Sequence, residues 1–156
     1  SNGSYLYMGW NTWMPGVTDK DCPVTDPAQI LTWISANTPE MLAVITGLVG
    51  AMDSPDVAKI DEDITTISPP IYRLREGIER FMITDINNPA ASAAAQSNIP
   101  ITGDWVSMDL GQEFNHAPGG CNFLYMDGHV EFIKYPGKWP VSRVMAFLQW
   151  EDNGLV

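Results

Sequence analysis

The sequence predicts an α+β domain built on an antiparallel sheet, and three observations carry that prediction. Asp127-Gly128 lies between two runs of β-forming residues, a hairpin signal. Asp26-Pro27, Thr38-Pro39 and Ser54-Pro55 each place a capping side chain before a proline, the grammar of a helix start. Near the N-terminus, Tyr5-Leu6-Tyr7-Met8-Gly9-Trp10 alternates as a strand does and is followed by a Pro15-Gly16 turn, with Tyr5 and Tyr7 on one face. At 156 residues, the chain has room for one domain with its own core, so 1–156 is read as a single unit.

The first helix is expected from Pro27 to about Ala36, with Ile30, Leu31 and Ile34 as its apolar stripe and Trp33 beside it. The second, Pro39 to Met52, is apolar almost all round, which requires burial in this domain or against another chain. A third, short and acidic, follows Ser54-Pro55 and ends near Asp61-Glu62-Asp63, a run read as a solvated face. Ile71 to Leu74 reads as a strand, with a turn near Gly77 and a short helix after it. Asn88-Pro89 repeats the cap grammar before an alanine-rich helix, Ala90 to Ala95. Trp105 to Leu110 reads as a strand and Gly111 to Gly120 as a loop. Val141, Val144, Met145 and Leu148 outline a final amphipathic helix.

A two-residue type I′ turn at Asp127-Gly128 would set the hairpin register, pairing Tyr125 with Val130 and Phe123 with Phe132. Phe123, Tyr125, Val130 and Phe132 then share the core face. Leu124, Met126, His129, Glu131 and Ile133 share a mixed face that borders solvent, a loop or another subunit.

Eight basic residues against 19 acidic ones give a formal net charge of −11, which argues against nucleic acid and favours cations or neutral partners. The apolar stretch Met41 to Met52 is twelve residues long, short of the roughly 20 that a membrane span needs. Ser1 is not a translation start, so the chain reads as a trimmed or processed piece of a longer one. Cys22 and Cys121 allow a disulfide, worth about 4.7 kcal/mol for a loop of about 100 residues in the chain-entropy model, or two separate buried thiols.

Several constellations could carry chemistry. Cys121 with His116 or His129 and Asp104 or Asp127 would make a thiol nucleophile, base and orienter, although no helix N-terminus lies at Cys121 to lower its pKa. Cys22, Cys121, His116 and His129 are zinc-ligand types without zinc-ligand spacing. Calcium has more raw material: Asp104, Asp109 and Glu113 before the hairpin, and Asp85 with Asn87. Asp85 and Asn88 also serve as turn or cap residues, and Asp127 is accounted for by its turn. The six tryptophans suit either sugar stacking or packing; packing is preferred for Trp10, Trp33 and Trp105, with Trp13, Trp139 and Trp150 left open.

The run Asn115-His116-Ala117-Pro118-Gly119-Gly120-Cys121-Asn122, with Leu124-Tyr125-Met126-Asp127-Gly128-His129-Val130-Glu131-Phe132, resembles the C-terminal signature of the His-X(9)-Asp-Gly family of bacterial prepilin-like, type II secretion pseudopilin-like proteins. Tyr72 to Phe81, Thr84 to Pro89, Gln96-Ser97 and Ser4 to Trp10 look similar to the same family. Ten residues rather than nine separate His116 from Asp127, and the hydrophobic N-terminal prepilin helix is absent from this sequence. The resemblance implies a pilin-like globular head and an exported, extracellular or cell-surface structural subunit of a pilus, pseudopilus or other filament. Its partners would be copies of itself or other pilin-like subunits, and no catalytic residues come with the family. It makes the hairpin architectural, with His116 and Asn122 fixing the loop; Asp127 and Gly128, through their turn, and Cys22 and Cys121, as a disulfide or as buried thiols, are read as structural from the residues themselves. It also raises calcium as a bound ion. The rival readings are a non-polymerising calcium- or glycan-binding surface module and a cysteine-dependent hydrolase.

Overall fold

Asp26 opens α1 (Pro27–Asn37): its carboxylate accepts from the Ala28 N–H at 3.0 Å, and Pro27 fills a position where a missing N–H costs nothing. Thr38 ends that helix, its backbone N–H and its hydroxyl both donating to the Ile34 carbonyl, while its own carbonyl accepts from the Met41 and Leu42 N–H groups where the next helix starts. The chain turns at once into α2 (Pro39–Met52), with the bounds that the sequence suggests. The third helix start shifts by two residues: Asp56, not Ser54, caps a 3-10 turn over Val57–Asp61, while the Ser54 hydroxyl accepts from the Asp56 N–H.

These observations come from a computed structural model that describes residues 5–14, 16–18, 20–52, 54–68, 70–78, 95–107 and 119–149. The expected Ala90 to Ala95 helix, apart from its last residue, and Asp85, Asn87 and Asn88 lie outside the described residues.

Four strands form one antiparallel sheet in chain order: β1 (Tyr5–Tyr7), β2 (Pro100–Asp104), β3 (Gly120–Tyr125) and β4 (Val130–Lys134). A strand lies at Pro100–Asp104, ahead of the one expected at Trp105 to Leu110; residues 105–107 are not in a strand, and Met108, Asp109 and Leu110 lie outside the described residues. Ile71 and Arg73 make single bridges, to Ile64 and Trp10, in place of a full strand, and Gly77 takes a positive φ in the turn after them. Helix α3 (Arg143–Leu148) follows the sheet, with the Ser142 hydroxyl accepting from the Met145 N–H.

The helices pack on one face of the sheet. Phe123, Tyr125, Cys121 and Ile133 meet Ile30 and Ile34 of α1, Met41 and Ile45 of α2, and Val144 to Phe147 of α3 in one apolar cluster. A smaller cluster joins Trp10, Val44, Ile64 and Ile71. Burying side chains such as these is worth about 1.5–3 kcal/mol each. The result is an α+β architecture, and no helix among the described residues is long and apolar enough to cross a membrane.

The hairpin register differs from the two-residue prediction by one position. The Tyr125 carbonyl accepts from Gly128, the Tyr125 N–H donates to the His129 carbonyl, and Leu124 pairs with Val130. Gly128 alone in this turn has positive φ (+89°), since no non-glycine residue does among those described. That is the pattern of a three-residue loop with a glycine bulge, whereas type I′ would also require positive φ at Asp127. One position of slip exchanges the faces of an entire strand. Val130 and Phe132 therefore point away from the core, and Ile133 points into it.

Candidate functional site

The outer sheet face is built by that register. Tyr7 pairs with Thr102, Thr102 with Leu124 and Leu124 with Val130, so one row crosses all four strands. Beside it, Tyr5 pairs with Asp104, Asp104 bonds to Asn122, and Asn122 pairs with Phe132. Each row starts on an exposed tyrosine and ends on an exposed apolar side chain: Tyr5 is 74% exposed, Tyr7 63%, Val130 62% and Phe132 50%. The Phe132 ring also lies across Gly120, where an added methyl carbon would sit 2.5 Å from its Cζ.

Asp104, one of the residues read as calcium ligands, is buried within the second row. One of its carboxylate oxygens accepts from the Asn122 N–H at 2.7 Å and from Asn122 Nδ2 at 3.2 Å. Asn122 thus makes a bracing contact, with Asp104 as its partner. Asp109, Glu113 and His116 lie outside the described residues. Among those described, no group of three or more His, Cys, Asp or Glu side chains is placed to hold a metal ion.

Cys22 and Cys121 are both free and buried, so two core thiols stand where a disulfide was one of the expectations. Burial pushes the Cys121 thiol up to about 12, with a further push from the Asp104 charge, and its Sγ donates to the Trp105 carbonyl at 3.4 Å. Burial raises the Cys22 thiol as well. A thiol held protonated is a poor nucleophile. His129 does not approach it: Cys121 pairs with Ile133, four residues along β4 from His129, or roughly 13 Å.

At the hairpin tip, the Asp127 carboxylate accepts from the His129 N–H at 3.1 Å and lies 2.5 Å from Nδ1, contacts that hold it below the usual carboxylate range. The His129 ring stacks on Tyr125 at 4.5 Å, and Lys138 sits over the same tyrosine while pairing with Glu131 at 2.6 Å. Asp127 and Gly128 thus serve the turn. Trp10 and Trp139 are buried and Trp13, Trp33 and Trp105 are half-buried, so among the described residues the exposed large apolar rings are those of Tyr5, Tyr7 and Phe132; Trp150 lies outside the described residues.

Sequence reasoning missed Val130 and Phe132 as surface residues and Asp104-Asn122 as a pair, because both depend on register. The bulky side chain at 132 opposite a strand that opens on Gly120 was a usable signal for the true pairing. No protein-family model matches the chain, and neither a curated protein nor a solved structure matches it.

Proposed function

We propose that this chain is the pilin-like head of an exported structural subunit that acts by self-assembly in a filament or surface array. The observation carrying this reading is the open sheet face with two cross-strand rows ending in Tyr5, Tyr7, Val130 and Phe132. Exposed tyrosine and phenylalanine on a rigid sheet supply large contact area at low entropic cost, the composition enriched at protein interfaces. A closed or head-to-tail array of copies would cover these rows without help from a different protein. The resemblance of the Asn115 to Phe132 segment to prepilin-like proteins favours the same reading.

Sedimentation velocity over a concentration series, with electron microscopy of protein from its native source, tests it. Self-association should weaken in Tyr7→Ser/Val130→Ser, which alters one row and leaves the core untouched. Monodisperse monomers at every concentration, with no fibres from the native source, would overturn the reading.

A further inference from the structure

On the helical side of the sheet, a cavity of about 450 Å³ lies between the β1 segment, α2 and α3. Its walls are apolar, with Met8, Ile45, Leu48 and Leu148 among them, and its volume is within the usual 300–1,000 Å³ of small-molecule sites. At water's share of about 30 Å³ per molecule it takes roughly fifteen non-hydrogen atoms.

Two observations define what would fill it. Thr12, Trp139 and Gln149 line the cavity and are buried, and Thr12 Oγ1, Trp139 Nε1 and Gln149 Nε2 have no hydrogen-bond partner. An indole N–H only donates. The Gln149 carbonyl already accepts from the Val106 N–H at 2.7 Å, so what its side chain has left to offer is also donors. The second observation is charge. Arg73 lines the cavity, stacked over the Trp10 ring and paired at 3.3 Å with Asp61, a residue exposed to solvent, and no acidic residue is among the described lining. In a chain of net charge −11, this wall offers a cation but no carboxylate. Buried polar groups are normally paired, and these three atoms, each with less than 1 Å² of accessible surface, gain a partner only where their side chains turn toward an acceptor-bearing occupant.

We infer that this cavity binds a medium-chain monocarboxylate, the aliphatic chain against α2 and α3 and the carboxylate against Arg73. Tyr7 belongs both to the cavity lining and to an outer-face row, but occupancy of the cavity requires no assembly. Arg73 would supply a charge-assisted bond to the head, and the methionines lining the cavity would adapt to the chain.

Titration calorimetry of the delipidated protein with dodecanoic acid, and separately with dodecanol, tests this. The expected result is saturable binding of the acid at one site, with dodecanol weaker by about tenfold or more. Arg73→Gln should remove the preference for the acid while keeping dodecanol binding. Leu48→Trp, which fills the cavity from α2 without touching a polar group, should abolish both, with near-ultraviolet circular dichroism checking that each variant is folded. Absence of saturable acid binding, equal affinity for acid and alcohol, or unchanged binding in folded Leu48→Trp would each overturn the inference.

Discussion

Asp104 and Asn122 are joined across β2 and β3 by two hydrogen bonds to a single carboxylate oxygen, one from the backbone N–H at 2.7 Å and one from Nδ2 at 3.2 Å. At the end of β2 a side chain thus accepts from a strand N–H that a carbonyl would ordinarily take, and this keeps β3 paired where the backbone ladder stops.

The first prediction follows from that substitution of acceptors. Asp104→Ala leaves the Asn122 N–H without this acceptor in a part-buried position, a loss of about 1–3 kcal/mol. Asp104→Asn keeps an acceptor oxygen and should cost less. Urea denaturation of the three proteins should rank wild type, then Asn, then Ala, with equal m-values; an Ala variant as stable as wild type would remove the bracing role.

The hairpin tip gives a second prediction, separable into backbone and side-chain parts. A methyl group on Gly128 meets nothing within 4 Å, so any cost of Gly128→Ala comes from holding φ near +89°. That cost is about 1–2 kcal/mol. Asp127→Ala loses the acceptor of the His129 N–H and should lower the melting temperature. Thermal melts of the single and double variants measure both. Coupling is expected, because the two residues serve one turn and neighbouring sites are rarely additive.

Much of this fold was legible where a single local cause decides it. Asp26-Pro27 and Pro39 to Met52 are such cases: a cap, a proline and an apolar run fix the helices without reference to the rest of the chain. The inward faces of Phe123 and Tyr125 were legible too, because alternation within one strand is local. Register was not. Asp-Gly suits a two-residue turn and a three-residue loop with a glycine bulge alike, and the choice between them placed Val130 and Phe132 outside the core. β2 was hidden for a related reason: Pro100, Gly103 and Asp104 are poor strand formers by composition, and tertiary pairing with β1 and β3 overrides that preference. The outer face and the cavity both arise from contacts between distant segments, beyond the reach of spacing rules.

Gly103 shows how tight that pairing is and supplies a third prediction. It sits opposite Phe123, and a methyl carbon there would lie 2.5 Å from two ring atoms and 2.6 Å from the Asn122 carbonyl oxygen. The ring could shift only into a filled core, and the carbonyl belongs to β3 itself. Gly103→Ala should therefore destabilise by about 1–3 kcal/mol or more, as overpacking does. Gly50→Ala, at an exposed helical position with nothing within 4 Å, is the control and should be stabilising by roughly 0.5–1 kcal/mol. Chemical denaturation of the pair decides whether the close approach of strands, rather than glycine content as such, holds the sheet.

The buried thiol and phenol supply the last prediction, in alkaline solution. Burial raises Cys121 from 9.0 to about 12 and Tyr125 from 10.0 to about 12. Both groups stay protonated in the folded chain at pH values where the unfolded chain releases the proton, so the unfolded state binds fewer protons over that window. Stability is then complete below about pH 9 and falls as pH rises toward 12, by at most about 1.4 kcal/mol per pH unit for each group. Urea midpoints measured from about pH 8 to about pH 11 should decline, and Cys121→Ala should flatten the early part of the decline, where the thiol titrates before the phenol. The same burial makes both cysteines slow toward a thiol reagent in the native protein and fully reactive once it is unfolded, with two free thiols recovered without reductant. Rapid labelling of folded protein, or fewer than two thiols after unfolding, would show that the cysteines are not the core residues described for them.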